Sequence, residues 1–146
     1  MKAKTWFAGV LAGLFLVLGA FAAYIVTIDP FFHYHKPLPQ VAYTLDNSRY
    51  QNDGLARRME YDTLITGTSM VSNFKTTQCD ELFGGRSIKT PFHGASLCEI
   101  NNHVDAAIAA NPKLHTVIRC LDQGNLLQEK DYISYEGIFT KIPRIP

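Results

Sequence analysis

Leu64-Ile65-Thr66-Gly67-Thr68-Ser69-Met70 is the stretch that decides the reading of this chain. A short apolar run ends in Gly-x-Ser, and a polar segment with helix signals follows. In α/β folds, ligands and catalytic groups gather at the carboxyl ends of parallel strands. A serine on a tight turn there, made possible by Gly67, would expose its hydroxyl beside backbone N–H groups at a helix start. Those are the requirements of an acyl-transfer nucleophile and half of an oxyanion hole. Gly-x-Ser by itself is common; its position at the end of an apolar run gives it weight.

Outward from this stretch, alternating strand and helix patterns continue. Thr63-Leu64-Ile65-Thr66 reads as a first strand. Thr77-Gln78-Cys79-Asp80 reads as a helix start with Thr77 as N-cap, and Gly84-Gly85 as its stop. Ser87 to Phe92 reads as a second strand, in which Pro91 marks an end or an edge. Ser96-Leu97-Cys98-Glu99 is a capping box, followed by Leu97, Ile100, Val104, Ala107 and Ile108 at helical spacing up to Asn111-Pro112. Thr116 to Leu121 reads as a third strand closing on Asp122. Strand–helix–strand–helix–strand implies right-handed crossovers and a parallel sheet covered by helices. The expected fold class is α/β, an incomplete three-layer, flavodoxin-like domain behind an N-terminal transmembrane helix.

That helix is Trp6 to Ile28, an uncharged apolar run about 35 Å long as a helix, against roughly 30 Å of hydrocarbon. Lys2 and Lys4 precede it and Asp29 follows, so the N-terminus is expected in the cytoplasm and the rest outside the cell membrane. Ala20-Phe21-Ala22 has the form of a signal-peptidase site, but the apolar run is longer than a signal peptide needs. The expected organisation is a stub and single-pass anchor over 1–28, a juxtamembrane segment over 29–60, a partial α/β domain over 61–136 and an irregular tail over 137–146. Within 29–60, the prolines and aromatics of Asp29 to Pro39 suit the membrane interface, and Asn52-Asp53-Gly54 marks a turn.

The chain's 146 residues hold 14 Lys+Arg against 13 Asp+Glu, which leaves no basic footprint for nucleic acid. Cys79, Cys98 and Cys120 are odd in number and lack metal-ligand spacing. Cys98 and Cys120 fit apolar patterns as small hydrophobes. His33 and His35 have no third ligand at useful spacing, so interfacial packing is their expected role.

Further motifs lie at Asp29-Pro30-Phe31-Phe32-His33-Tyr34-His35, Arg49-Tyr50-Gln51-Asn52-Asp53-Gly54, Tyr61 to Met70, Asn73-Phe74-Lys75, Phe92-His93-Gly94-Ala95-Ser96 and Arg119-Cys120-Leu121-Asp122. In this order and spacing, the chain resembles bacterial membrane-anchored proteins of the SGNH/GDSL hydrolase-like superfamily, found near cell-surface polysaccharide genes in Gram-positive bacteria. The resemblance covers most of Asp29 to about Tyr135. It implies Ser69 as nucleophile, in Gly-Thr-Ser where the superfamily often has Gly-Asp-Ser, with Gly94 supplying an oxyanion N–H. A plain strand-to-helix turn is the alternative reading of Gly94. The asparagine of the third block is missing: the strand ends in Leu121-Asp122-Gln123-Gly124-Asn125. Asp122 either orients substrate or starts a turn, and Asn73 either points back to the site or caps a turn. Arg49 and Asn52 either reach the pocket or serve structural hydrogen bonds.

A serine nucleophile needs a histidine oriented by a carboxylate. The family's late Asp-x-x-His motif is absent, and neither His93 nor His115 is a convincing base. Glu136 to Pro146 has neither cap nor periodicity. Its codons, read one base later, can encode a Tyr/Pro-rich loop, so a frame lost near Gly137 is expected. The expectation is therefore an inactive N-terminal part of an esterase or O-acyltransferase of surface glycan, working without metal or organic cofactor, with a multi-spanning acyltransferase as a candidate partner. A membrane-tethered, non-catalytic binding module is the rival.

Overall fold

The computed structural model describes residues 3–45, 48–127, 129 and 132; the tail over 137–146 lies outside them. In order, the elements are α1 (Ala3–Ile28), α2 (Ser48–Arg58), β1 (Thr63–Gly67), a 3-10 turn (Ser69–Asn73), α3 (Thr76–Phe83), β2 (Ser87–Pro91), α4 (Leu97–Ala110), β3 (Thr116–Arg119) and a short α5 (Gln123–Leu126). None of the residues of α1 is buried, and it is long and apolar enough to cross a membrane.

The sheet has the order β2-β1-β3, and both pairings are parallel. Leu64 sits between Ile88 and Val117, and Thr66 between Thr90 and Arg119. Every residue of β1 is buried, as expected of a strand with neighbours on both edges and helices on both faces. Because side chains alternate along a strand, Leu64 and Ile65 enter separate cores. Leu64 packs with Ala56, Tyr61 and Ala107, from α2, the loop after it and α4. Ile65 packs with Val71 and Cys79, from the 3-10 turn and α3. The result is a three-layer mixed α/β arrangement built around one central strand.

Two expectations about local structure are corrected. Asn52-Asp53-Gly54 is helix rather than turn, lying inside α2. Its buried face is Gln51, Asn52, Gly54 and Ala56, with only one apolar side chain, so no apolar period betrays it. Gln51 donates to the carbonyls of Pro30 (3.1 Å) and Thr44 (2.8 Å), and Asn52 to that of Pro91 (2.7 Å). Gly54 lies against the carbonyls of Phe31 and Phe32, where a Cβ would not fit. Tertiary hydrogen bonds thus outweigh a local turn preference. The second correction is the start of α3, capped by Lys75 rather than Thr77 and without a side-chain cap bond. Its end is as read, with Gly84 at φ 64°. The capping box of α4 is present, with Ser96 Oγ accepting from the Glu99 N–H and the Glu99 carboxylate from the Ser96 N–H. Strands β2 and β3 end slightly early, at Pro91 and Arg119. Of the cysteines, Cys79 is buried, while Cys98 and Cys120 are half-buried.

The chain leaves α1 through a tight collar. Asp29 is buried at φ 45°, and its carboxylate accepts the N–H groups of His33 (2.9 Å), Tyr34 (2.7 Å) and His35 (2.9 Å). Burial pushes its pKa up, but these three donors and the His35 charge together hold it below the usual carboxylate value. Tyr43 Oη donates to the Ile28 carbonyl at 2.8 Å. The His35 ring places Nδ1 on the Lys36 carbonyl (2.7 Å) and Nε2 on those of Val26 and Thr27 (3.1 Å each). Carbonyls only accept, so two ring nitrogens facing them are best served by the doubly protonated imidazolium. The Lys36 carbonyl first, then those of Val26 and Thr27, raise the His35 pKa. A cation at a helix C-terminus also suits the helix dipole.

Candidate functional site at the carboxyl rim of the sheet

The carboxyl ends of the three strands share one rim, because all three run parallel. There β1 continues to serve both neighbours: the Gly67 carbonyl accepts the Phe92 N–H, and the Thr66 carbonyl the Cys120 N–H, each at 2.9 Å. The crossovers from β1 to β2 and from β2 to β3 lead to opposite edges of β1, so the loops after β1 and β3 diverge at a topological switch point. Crevices of this kind are the usual ligand sites of open α/β sheets.

Gly67 makes this rim possible. Its φ of +153° is unfavourable for side-chain-bearing residues, and a Cβ would stand 2.8 Å from Cys120 Cβ and 2.9 Å from Val71 Cγ2. Thr68 follows, buried, and its hydroxyl donates to the Asp122 carboxylate. That bond spans the crevice and ties the loop after β1 to the loop after β3.

Ser69 begins the 3-10 turn and is exposed, with no hydrogen-bond partner for its hydroxyl among the described residues. The first intrahelical bond of the turn is from the Val71 N–H to the Thr68 carbonyl (3.2 Å). The amides of Ser69 and Met70 therefore precede the turn's own bonding, as at any helix start. Gly94 lies in the loop after β2, on the same rim, exposed at φ +64° with nothing within 4 Å of where a Cβ would sit. Asn73 ends the 3-10 turn and is exposed. Asp122 stands at the N-cap of α5 but makes no side-chain cap bond, its carboxylate being engaged by Thr68.

Arg49 and Asn52 act on the rim from behind. Arg49 pairs with Glu99 at 2.5 Å and donates to the His93 carbonyl at 3.3 Å, while Asn52 holds the Pro91 carbonyl. Burial raises the Glu99 pKa, but the Ser96 N–H and Arg49 outweigh it and leave the carboxyl below its usual value. Both α2 side chains thus brace the loop that carries Gly94.

Two features escaped the sequence reading. One is Thr68 as the partner of Asp122. The other is His93, whose Nε2 meets Ser72 Oγ at 3.3 Å. Lys89 fastens the same turn to the edge strand by donating to the carbonyls of Ser72 (2.7 Å) and Phe74 (3.0 Å). In a 3-10 turn, side chains three apart eclipse, so Ser69 and Ser72 share a face and His93 is the imidazole nearest that face in sequence and register. His115 sits at the other end of the sheet, its backbone N–H on the Asp62 carbonyl. His103 is buried beneath the rim, on Thr90 Oγ1 (3.0 Å) and edge-on to Phe92, and burial lowers its pKa to about 4.

The described residues contain no His/Cys/Asp/Glu cluster able to hold a metal ion. No protein-family model matches this chain, and no curated protein or solved structure matches it either.

Proposed function

We propose that this chain is the membrane-anchored N-terminal part of an extracytoplasmic SGNH-like protein whose chemistry is ester hydrolysis or O-acyl transfer on cell-surface polysaccharide. The observation carrying this reading is Ser69: an exposed hydroxyl just past the carboxyl end of the central parallel strand, where the strand order reverses. The strand order β2-β1-β3 is the beginning of the flavodoxin-like order, which supports the same assignment. In the proposed reaction Ser69 Oγ loses its proton to the base and attacks the acyl carbonyl, and the Ser69 and Gly94 N–H groups receive the developing oxyanion. The donor alcohol leaves with that proton, and water or an acceptor sugar hydroxyl then breaks the acyl–serine ester. Asp122, held by Thr68, lines the crevice where the acceptor sugar binds, and Asn73 contributes from the end of the 3-10 turn. The base comes from outside residues 3–127. Anchoring through α1, with the N-terminus in the cytoplasm, places this rim outside the cell membrane, where a multi-spanning acyltransferase is a fitting acyl donor.

A second reading, a tethered glycan-binding module without catalysis, is favoured by one observation. The imidazole at the rim engages Ser72, and none engages Ser69 Oγ among the described residues. A fluorophosphonate probe applied to membranes from cells producing the protein together with the segment that supplies the base separates the two, since this chain alone is expected to be inactive. Labelling at Ser69, reduced at least about 100-fold in Ser69→Ala, is expected for ester chemistry. Intact, membrane-bound protein that takes no label overturns catalysis and leaves the binding module.

A further inference from the structure

The opposite rim, at the amino ends of the strands, gathers positive charge beside the exit from α1. Lys36 Nζ donates to Glu60 Oε1 at 2.5 Å. The Glu60 carboxyl is held below its usual value first by that bond, then by the charges of Lys36, Lys113 and Arg86. One exposed carboxylate is therefore faced by three cations. Arg58 joins Lys36, Glu60 and Arg86 around an open depression of about 370 Å³, with Pro37 and Met59 as its apolar wall. The other nearby carboxylate, Asp62, is occupied by the Arg86 N–H and the Thr63 hydroxyl. Neither the Arg86 guanidinium nor the Lys113 ammonium has an ion-pair partner among the described residues.

The depression also has a defined depth. Lys36 forms its wall, and the Lys36 carbonyl accepts from the His35 ring that touches the carbonyls of Val26 and Thr27 in the last turn of α1. The headgroup layer on each side of a bilayer is roughly 5–8 Å thick. With α1 as the span, a depression whose wall residue Lys36 follows a ring resting on the end of that helix lies beside the headgroup layer. Guanidinium groups match phosphate oxygens in a two-pronged geometry, and an ammonium adds a point charge.

We infer that Lys36, Arg58 and Arg86 form a binding site for the phosphodiester headgroup of an anionic membrane lipid, with Lys113 outside the depression. Pro37 and Met59 lie against its glycerol portion. The site rests on α1 spanning the membrane and is independent of any chemistry at Ser69.

The test uses the full chain in nanodiscs of mixed phosphatidylglycerol and phosphatidylcholine, re-extracted into neutral detergent, with retained lipid counted by native mass spectrometry. The expected result is preferential retention of phosphatidylglycerol. Arg86→Gln should lower it about five-fold, and Lys36→Gln/Arg58→Gln/Arg86→Gln should abolish it, at equal protease resistance. Equal retention in the triple variant, or no preference in the wild type, overturns the proposal. Displacement by millimolar inorganic phosphate without any lipid preference also overturns it, in favour of a soluble anion. Carbonate extraction of native membranes reports separately on the span: a chain that washes off has lost its anchor, whereas one that stays without lipid preference has lost only the headgroup site.

Discussion

The two ends of the parallel strands are built in opposite ways. At the amino ends, Asp62 knots the sheet together: its carboxylate takes the Arg86 N–H, and its carbonyl takes the N–H groups of His115 and Thr116. At the carboxyl ends the strands part, a glycine with positive φ turns the chain out, and a hydroxyl is left facing solvent. A side-chain bridge from Thr68 to Asp122 ties the loop after β1 to the loop after β3. Closure at one end fixes strand register, which frees the other end to be open without unravelling. The charge follows the same division, with Arg58, Arg86 and the Lys36–Glu60 pair beside the exit from α1 and the Arg49–Glu99 pair behind the open rim.

The sharpest way to break this contrast is at the two rim glycines. Gly67→Ala should destabilise the domain by on the order of 3 kcal/mol or more, because strain at φ +153° adds to overlap with Cys120 and Val71. Gly94→Ala meets nothing and should cost only about 1 kcal/mol, for the left-handed backbone alone. Urea midpoints of the two variants in detergent measure the difference. Equal losses would mean that the rim is not open above Gly94.

Acidity should pull the two ends in opposite directions. His103, beneath the open rim, has a folded pKa of about 4 against 6.5 unfolded, so its contribution is complete above pH 6.5 and declines as pH falls toward 4. That loss is about 3 kcal/mol. His35 has its pKa raised, so its contribution to the collar is complete below pH 6.5 and is lost as pH rises through the folded value. Amide hydrogen exchange, corrected for intrinsic rates, should therefore show residues 90–95 loosening toward pH 4.5 and residues 33–36 loosening toward pH 8. His35→Gln should remove only the second effect.

A smaller effect than those at Gly67 and His103 lies at the bridge. Asp122→Ala leaves the buried Thr68 hydroxyl without its acceptor and should cost about 1–2 kcal/mol, whereas Asp122→Asn keeps an acceptor oxygen and should cost less. Thermal midpoints rank the pair. If both variants match the wild type, the two loops are held by something other than this bond.

Much of this architecture is readable from local chemistry. Leu64-Ile65 between threonines marks the central strand, Ser96 and Glu99 announce α4, and Gly84 stops α3, because each signal lies within a few residues of what it governs. Helix α2 is not readable in that way. Gln51, Asn52 and Gly54 make up most of its buried face, beside Ala56, and their partners are carbonyls at Pro30, Thr44 and Pro91 and the backbone at Phe31. The same limit applies at the rim. Ser69 after Gly67 stands out in sequence, but the Thr68–Asp122 bridge joins residues brought together only by the pairing of β1 with β3. The approach of His93 to Ser72 likewise depends on how the 3-10 turn lies against β2.

The collar at Asp29 has a mechanical consequence. Three successive amides gathered onto one carboxylate, with Tyr43 reaching back to the Ile28 carbonyl, leave no slack between the apolar rod and the body it carries. A joint of this kind transmits tilt as a rigid bracket does. Were the rod embedded in a bilayer, a change in its tilt would swing the sheet with it.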